Sequence, residues 1–198
     1  MPSAVHESVV YPFNAGFVEA AANLPLSVRT RMNIAANQEF GGFAGRYSGS
    51  SKIPDLAIQF KNAATGKREI KFILEVGFSE SYDDLVEDAK LWLEGKQEVS
   101  LVVLVKFTED PGYQCPARGL DDEELERLEF PEPADIDVDD FNSEGEYGPV
   151  TYKGLQWAGV ISEAIMEQWR RNPETGLATK SGHRRVRLLH TKRMVTMC

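Results

Sequence analysis

Asp55 and Glu75 are the residues whose types and spacing could do chemistry together. Asp55 stands in "KIPDLAIQF", residues 52–60, where Leu56, Ile58 and Phe60 alternate with Asp55, Ala57 and Gln59. Glu75 stands in "IKFILEVGF", residues 70–78, where Ile70, Phe72, Leu74, Val76 and Phe78 alternate with Lys71, Ile73, Glu75 and Gly77. Alternation of this kind marks strands. The segment between them carries turn chemistry at Thr65-Gly66, so the two strands are expected to form an antiparallel hairpin. Symmetry about Thr65 sets Phe60 opposite Ile70 and Asp55 opposite Glu75. Opposed residues share a face, with Cβ atoms roughly 4.5–5.5 Å apart. A one-residue slip would separate them. Two carboxylates so close repel each other, and near a core each also pays for lost water. Mg²⁺ or Mn²⁺ would relieve both costs, since such ions take hard oxygen ligands, activate water and stabilise charge at a phosphoryl centre. An ordinary alternative stays open: a solvated or ion-paired sheet face, with Arg46 or Lys71 as the cation.

The flanking sequence supplies the elements that must hold this pair. Ser27 to about Asn37 has Val28, Met32 and Ala35 at helical spacing, and residues 1–24 carry only weak patterns. Ser81, with Asp84 three residues on, reads as a helix cap, and Tyr82, Leu85, Ala89, Trp92 and Leu93 form an apolar stripe ending near Gly95. "VSLVVLVKF", residues 99–107, is apolar almost throughout, as in a strand buried on both faces and parallel to the strand before the helix. The expected fold class is therefore α/β: a mixed β-sheet with an antiparallel hairpin and a right-handed β-α-β crossover, flanked by helices. Residues 1–172 are expected to form a single domain. Its core spans about 27–107, an acidic and mostly irregular insertion about 109–148, and a C-terminal helix about 155–171. Residues 173–198 read as a basic tail.

The net charge of −9 argues against a general nucleic-acid coat protein, but the charge is uneven. Between Glu109 and Glu146 only Arg118 and Arg127 are basic, whereas Lys180, Arg184, Arg185, Arg187, Lys192 and Arg193 cluster near the end. An acidic chain can still present one basic surface. Cys115 and Cys198 are far apart and lack a metal-ligand pattern, which fits an intracellular setting, cytoplasm or nucleus. No apolar run approaches the length of a membrane span. His6, His183 and His190 are isolated in sequence, so no histidine-based metal site or catalytic pair is expected.

Pro54-Asp55, then Glu75-Val76-Gly77 on the next strand, then a helix and a buried strand, resemble the PD-(D/E)xK restriction-endonuclease-like superfamily. The resemblance covers about residues 27–107. More narrowly, "PDLAI", "EVGFSESYDDLVEDAKLWLEG", "VSLVVLV" and "EYGPVTYKGLQWAG" look like an uncharacterised fungal family with that fold. The resemblance implies a restriction-endonuclease-like core and a divalent-metal-dependent nuclease acting on DNA or RNA. It assigns metal roles to Asp55 and Glu75, with the carbonyl of Val76 and the carboxylate of Glu39 as further ligands. The superfamily lysine that positions the attacking water falls at Gly77, so this chain departs from the pattern there. Some members take that lysine from the following helix, where Lys90 is the candidate. Lys90 is equally explained as a surface ion pair with Glu87 or Glu94. Lys106, on the next strand, would need the right register. The resemblance leaves room for a homodimer. The alternative is a catalytically inactive nuclease-fold module that binds a protein or nucleic-acid partner.

Overall fold

The computed structural model describes residues 4–187, apart from 113, 133, 134 and 146. His190, Lys192, Arg193 and Cys198 lie outside the described residues. The chain divides into two compact units, one of residues 1–106 and 165–185, the other of residues 107–164 and 186–198.

The first unit holds the candidate site. Its elements are α1 (Ala4–Ala22), α2 (Leu26–Arg29), β1 (Met32–Ala35), β2 (Leu56–Lys61), β3 (Arg68–Gly77), α3 (Tyr82–Gly95) and the start of β4 (Leu101–Asp110). Later in the chain, the end of β8 (Val160–Arg171) and most of β9 (Ala178–Arg187) join it. The six-stranded sheet runs in the order β1-β2-β3-β4-β8-β9. β1, β2 and β3 are antiparallel neighbours, and β4 lies parallel to β3 across the α3 crossover. This is the mixed sheet with hairpin and crossover that the alternation pattern predicts.

Both faces of the sheet centre are covered. Ala57, Ile70, Ile73, Val102 and Leu104 pack with Leu85, Ala89, Trp92 and Leu93 of α3. Phe72 turns to the opposite face, where Phe13 and Phe17 of α1 meet its ring at 6.3 and 4.7 Å. Ser81 caps α3 as expected: its Oγ accepts the Asp84 N–H at 3.1 Å and its hydroxyl donates to the Asp84 carboxylate at 2.7 Å. At the other end, Arg171 donates to the carbonyl of Leu93, an acceptor the helix terminus leaves bare, to that of the capping residue Lys96, and to those of Gln97 and Val99 just beyond.

Several expectations are corrected. The helix expected from Ser27 to about Asn37 is only α2, and Met32–Ala35 form a strand against β2. Residues 4–22 form a long helix despite their weak pattern. The expected C-terminal helix at 155–171 is instead β7 (Leu155–Ala158) and β8, and the expected tail includes β9. The turns explain the second hairpin. In the first, Asn62 Oδ1 accepts the N–H groups of Ala64 and Thr65, and Gly66 N–H returns to the Asn62 carbonyl. Asn172, Glu174, Thr175 and Gly176 repeat these bonds between β8 and β9. Each turn ends on a glycine with positive φ, +69° at Gly66 and +72° at Gly176, which an L side chain would resist.

The second unit contains a three-stranded sheet of β5 (Asn142–Ser143), β6 (Val150–Tyr152) and β7, with α4 (Asp122–Leu128) in the acidic segment. Asp121 and Glu124 form a reciprocal capping box on α4. Phe130, Phe141, Tyr152 and Trp157 gather as an aromatic cluster.

Candidate functional site

The hairpin register near the site follows the predicted symmetry: Leu56 faces Leu74, Ala57 faces Ile73 and Ile58 faces Phe72. A bulge then intervenes, so Gln59 faces Ile70 and Phe60 faces Glu69, not Ile70. The extra residue is Lys71, and it turns Ile70 onto the α3 face with Ile73. The site end of the hairpin lies beyond this disturbance.

Asp55 stands one residue before β2, where the ladder has ended at Leu56. Its side chain replaces the missing strand partner: Val76 N–H donates to Asp55 Oδ2 at 2.6 Å. The N–H and C=O of one strand residue point to the same side, so the Val76 carbonyl also faces the Asp55 edge. Glu75 projects from the sheet towards α3. It is 4 % exposed, and Trp92 Nε1 donates to its Oε1 at 2.6 Å. Burial pushes the Glu75 carboxyl well above the usual carboxylate range. Lys52 and the Trp92 donor oppose this, while Asp55 and Asp88 add to it.

Lys52 and Asp88 are the site residues that the sequence reading missed. Lys52 bridges Phe40 in backbone pairing, and its ammonium meets Asp88 Oδ2 of α3 at 2.5 Å. Burial works against that charge, but Asp88, Glu75 and Glu80 together hold the ammonium in its protonated form. Asp88 and Glu80 are themselves raised, first by burial and then by neighbouring carboxylates, with Lys52 opposing. The charged residues around Glu75 are thus Asp55 and Asp88, with Lys52 as the cation among them and Glu80 as a further neighbour of Lys52 and Asp88. The α3 periodicity carried part of this signal: Asp84 and Asp88 lie four apart beside the apolar stripe. The course of the loop that delivers Lys52 carried none.

Lys90 lies elsewhere. Its ammonium pairs with Glu87 at 2.6 Å, and its further electrostatic neighbours are Tyr47 and Arg46. Glu39 accepts the Ser51 hydroxyl at 2.5 Å. Among the described residues no three histidine, cysteine, aspartate or glutamate side chains gather as a metal cage, so Glu39 does not complete a trio with Asp55 and Glu75. The two cations named as ordinary partners also have other bonds: Arg46 pairs with Glu94 at 3.1 Å and Lys71 with Glu69 at 2.9 Å.

Gly77 explains itself sterically. A Cβ added there would lie 2.4 Å from Leu85 Cδ1, so α3 occupies the space in which a side chain would start. Lys106 is the residue of β4 in register with Gly77 and leaves the sheet on the same face. Its ammonium donates to the Phe78 carbonyl at 2.7 Å, and burial lowers its pKa against the pull of Glu80.

No helix among the described residues is long and apolar enough to cross a membrane. No family model matches the chain, and neither the curated proteins nor the solved structures compared with it provide a match.

Proposed function

We propose that the first unit is a divalent-metal-dependent phosphodiesterase acting on nucleic acid, with a restriction-endonuclease-like core. The observation that carries this reading is Glu75. A carboxylate held inside the sheet, beside Asp55 and next to the single ammonium of Lys52, costs stability, and a group so perturbed is a functional candidate. The hairpin, the crossover helix and the parallel strand after it support the fold assignment.

Asp55, Glu75 and the Val76 carbonyl are hard oxygen donors of the kind Mg²⁺ or Mn²⁺ takes, and Mg²⁺ needs only one or two carboxylates because it keeps most of its waters. Such an ion supplies charge stabilisation at phosphorus and a more acidic bound water. The protein's own groups do the positioning. Val76 N–H fixes Asp55, and Trp92 Nε1 aims Glu75. Lys52, held by Asp88, orients the attacking water in place of the motif lysine. We assign this role to Lys52 in preference to Lys90, whose ammonium is held by Glu87, and to Lys106, whose ammonium is held at Phe78.

The second reading, a non-catalytic binding module, draws on the same contacts. Trp92 and Lys52 satisfy Glu75 within the protein, and Gly77 replaces the motif lysine. Cleavage assays on single- and double-stranded DNA and RNA with Mg²⁺ or Mn²⁺ separate the two. Metal-dependent cleavage lost in both Asp55→Ala and Lys52→Met supports the enzyme. An Asp55→Ala rate equal to wild type refutes it.

A further inference from the structure

A second polar constellation in the first unit is centred on Glu167 of β8, a residue only 2 % exposed. The Tyr82 hydroxyl lies 3.1 and 2.9 Å from its two oxygens, and Trp169 Nε1 donates to Oε2 at 3.0 Å. Lys180 Nζ and His183 Nδ1, both from β9, each lie 3.0 Å from the same atom, Oε1. Burial would raise the Glu167 carboxyl, but donors led by Lys180 and Tyr82 outweigh it and lower its pKa, so the group is ionised. His183, isolated in sequence, is therefore not isolated in the fold. An ionised carboxylate only accepts, so Nδ1 of His183 carries the hydrogen and Nε2 is its second polar atom.

The charge and exposure of this group go beyond a staple between strands. Tyr82 and Trp169 already give Glu167 two donors. Lys180 and His183 then share one buried counter-charge while their side chains stay 43 % and 42 % exposed. The Lys180 ammonium and the His183 ring thus keep exposed surface beside a carboxylate that is itself buried. Arg184, the next residue, is also exposed. β9 is the edge of the sheet, so this charge lies on a margin that an extended ligand can follow.

We propose that Lys180 and His183, ordered on Glu167 together with Tyr82, form a phosphate-binding site for the backbone of the nucleic-acid substrate. The choice of nucleic acid rests on the function proposed above; the phosphate chemistry does not. One carboxylate oxygen holds both side chains, so little side-chain freedom remains to be lost when a phosphate binds. Contacts of this type position a strand without reading its bases.

The test uses the full chain in EDTA, which removes cleavage from the readout. Inorganic phosphate and a short single-stranded oligonucleotide are titrated separately while the His183 imidazole resonances are followed by NMR. A saturable shift with each ligand is expected, weakened about tenfold in Lys180→Gln, as befits loss of a bond to a charged group. For the oligonucleotide, the slope of log K against log salt should also become shallower by about 0.7 per lost contact. Lys67→Gln, on the exposed first turn, should leave both affinities unchanged and so controls for net charge. No saturable shift with either ligand, or equal affinities in wild type and Lys180→Gln, overturns the site. A shift with phosphate but none with the oligonucleotide upholds the phosphate chemistry and refutes the nucleic-acid substrate.

Discussion

Adding a single methyl at position 77 tests why the motif lysine is absent. In Gly77→Ala the new Cβ would lie 2.4 Å from Leu85 Cδ1, 3.0 Å from Cγ and 3.3 Å from Cδ2. Carbon atoms pack comfortably at about 3.5–4.0 Å, so Leu85 must withdraw by about 1 Å or more. It has little room to do so, being 1 % exposed among Ala89, Trp92 and the sheet. Overpacking of this kind costs about 1–3 kcal/mol. Leu85→Ala alone should cost about 2–5 kcal/mol through the cavity it leaves. The double variant places the new methyl in vacated space, so the Gly77→Ala penalty should largely vanish there. Urea unfolding of the four proteins should therefore give a favourable coupling of about 1–3 kcal/mol. A Gly77→Ala protein within about 0.5 kcal/mol of wild type, or penalties that simply add, would refute the steric account. The same clash at the first atom of the side chain is what a lysine at 77 would have to overcome.

Two further perturbations read the energetics around the site. The Glu75 carboxyl holds its proton more tightly in the folded chain than at its ordinary value of 4.5, so the folded state carries the extra proton above that pH. Stability should then fall as pH rises from that value through the raised folded pKa, and Glu75→Gln should flatten this decline. Relative to wild type, the variant should therefore gain stability as pH rises from 4.5 to 8 in urea melts; no relative gain would contradict the assignment. Arg171→Ala removes the donors from the carbonyl end of α3, and a loss of about 1.5–3 kcal/mol is expected in chemical denaturation. A loss under about 0.5 kcal/mol would show that solvent caps the helix equally well.

The central elements were legible because their periods are clean. β2, α3 and the site end of β3 carry clean two-fold or helical patterns, and β4 carries the apolar run of a strand covered on both faces. The symmetric turn predicts the pairing as far as Leu56–Leu74; Asp55 lies one residue beyond the ladder and meets β3 through its side chain. The Lys71 bulge lies between that turn and the site, but the register from Ile58–Phe72 to Leu56–Leu74 keeps the predicted sum. β8 resembles a helix in sequence for a specific reason. Its buried positions from 165 to 169 alternate as Ile165, Glu167 and Trp169, and a glutamate at the middle position hides the alternation. Trp157, Ile161 and Ile165 meanwhile mimic helical spacing. β9 is an edge strand, mostly exposed and basic, and has no apolar face to read. The repeated turn chemistry of Asn62 to Gly66 in Asn172 to Gly176 was the available clue to its hairpin. In α1, Pro12 and Gly16 interrupt the pattern, and the helix gains its partner only when Phe13 and Phe17 meet Phe72. Lys52 reaches Asp88 through the Phe40–Lys52 bridge, a contact between segments that share no local pattern.

Calorimetric titration of Mg²⁺ and Mn²⁺ tests the central claim most directly, on the wild type and on the double variant Asp55→Ala with Glu75→Ala. The account predicts saturable binding to the wild type. Protons should be released as the raised Glu75 carboxyl gives way to the ion, seen as a buffer-dependent enthalpy. Both signals should be lost in the double variant. Equal binding in the double variant, or no binding at millimolar metal with nucleic acid present, would contradict the metal site and leave Glu75 as a structural carboxylate anchored by Trp92.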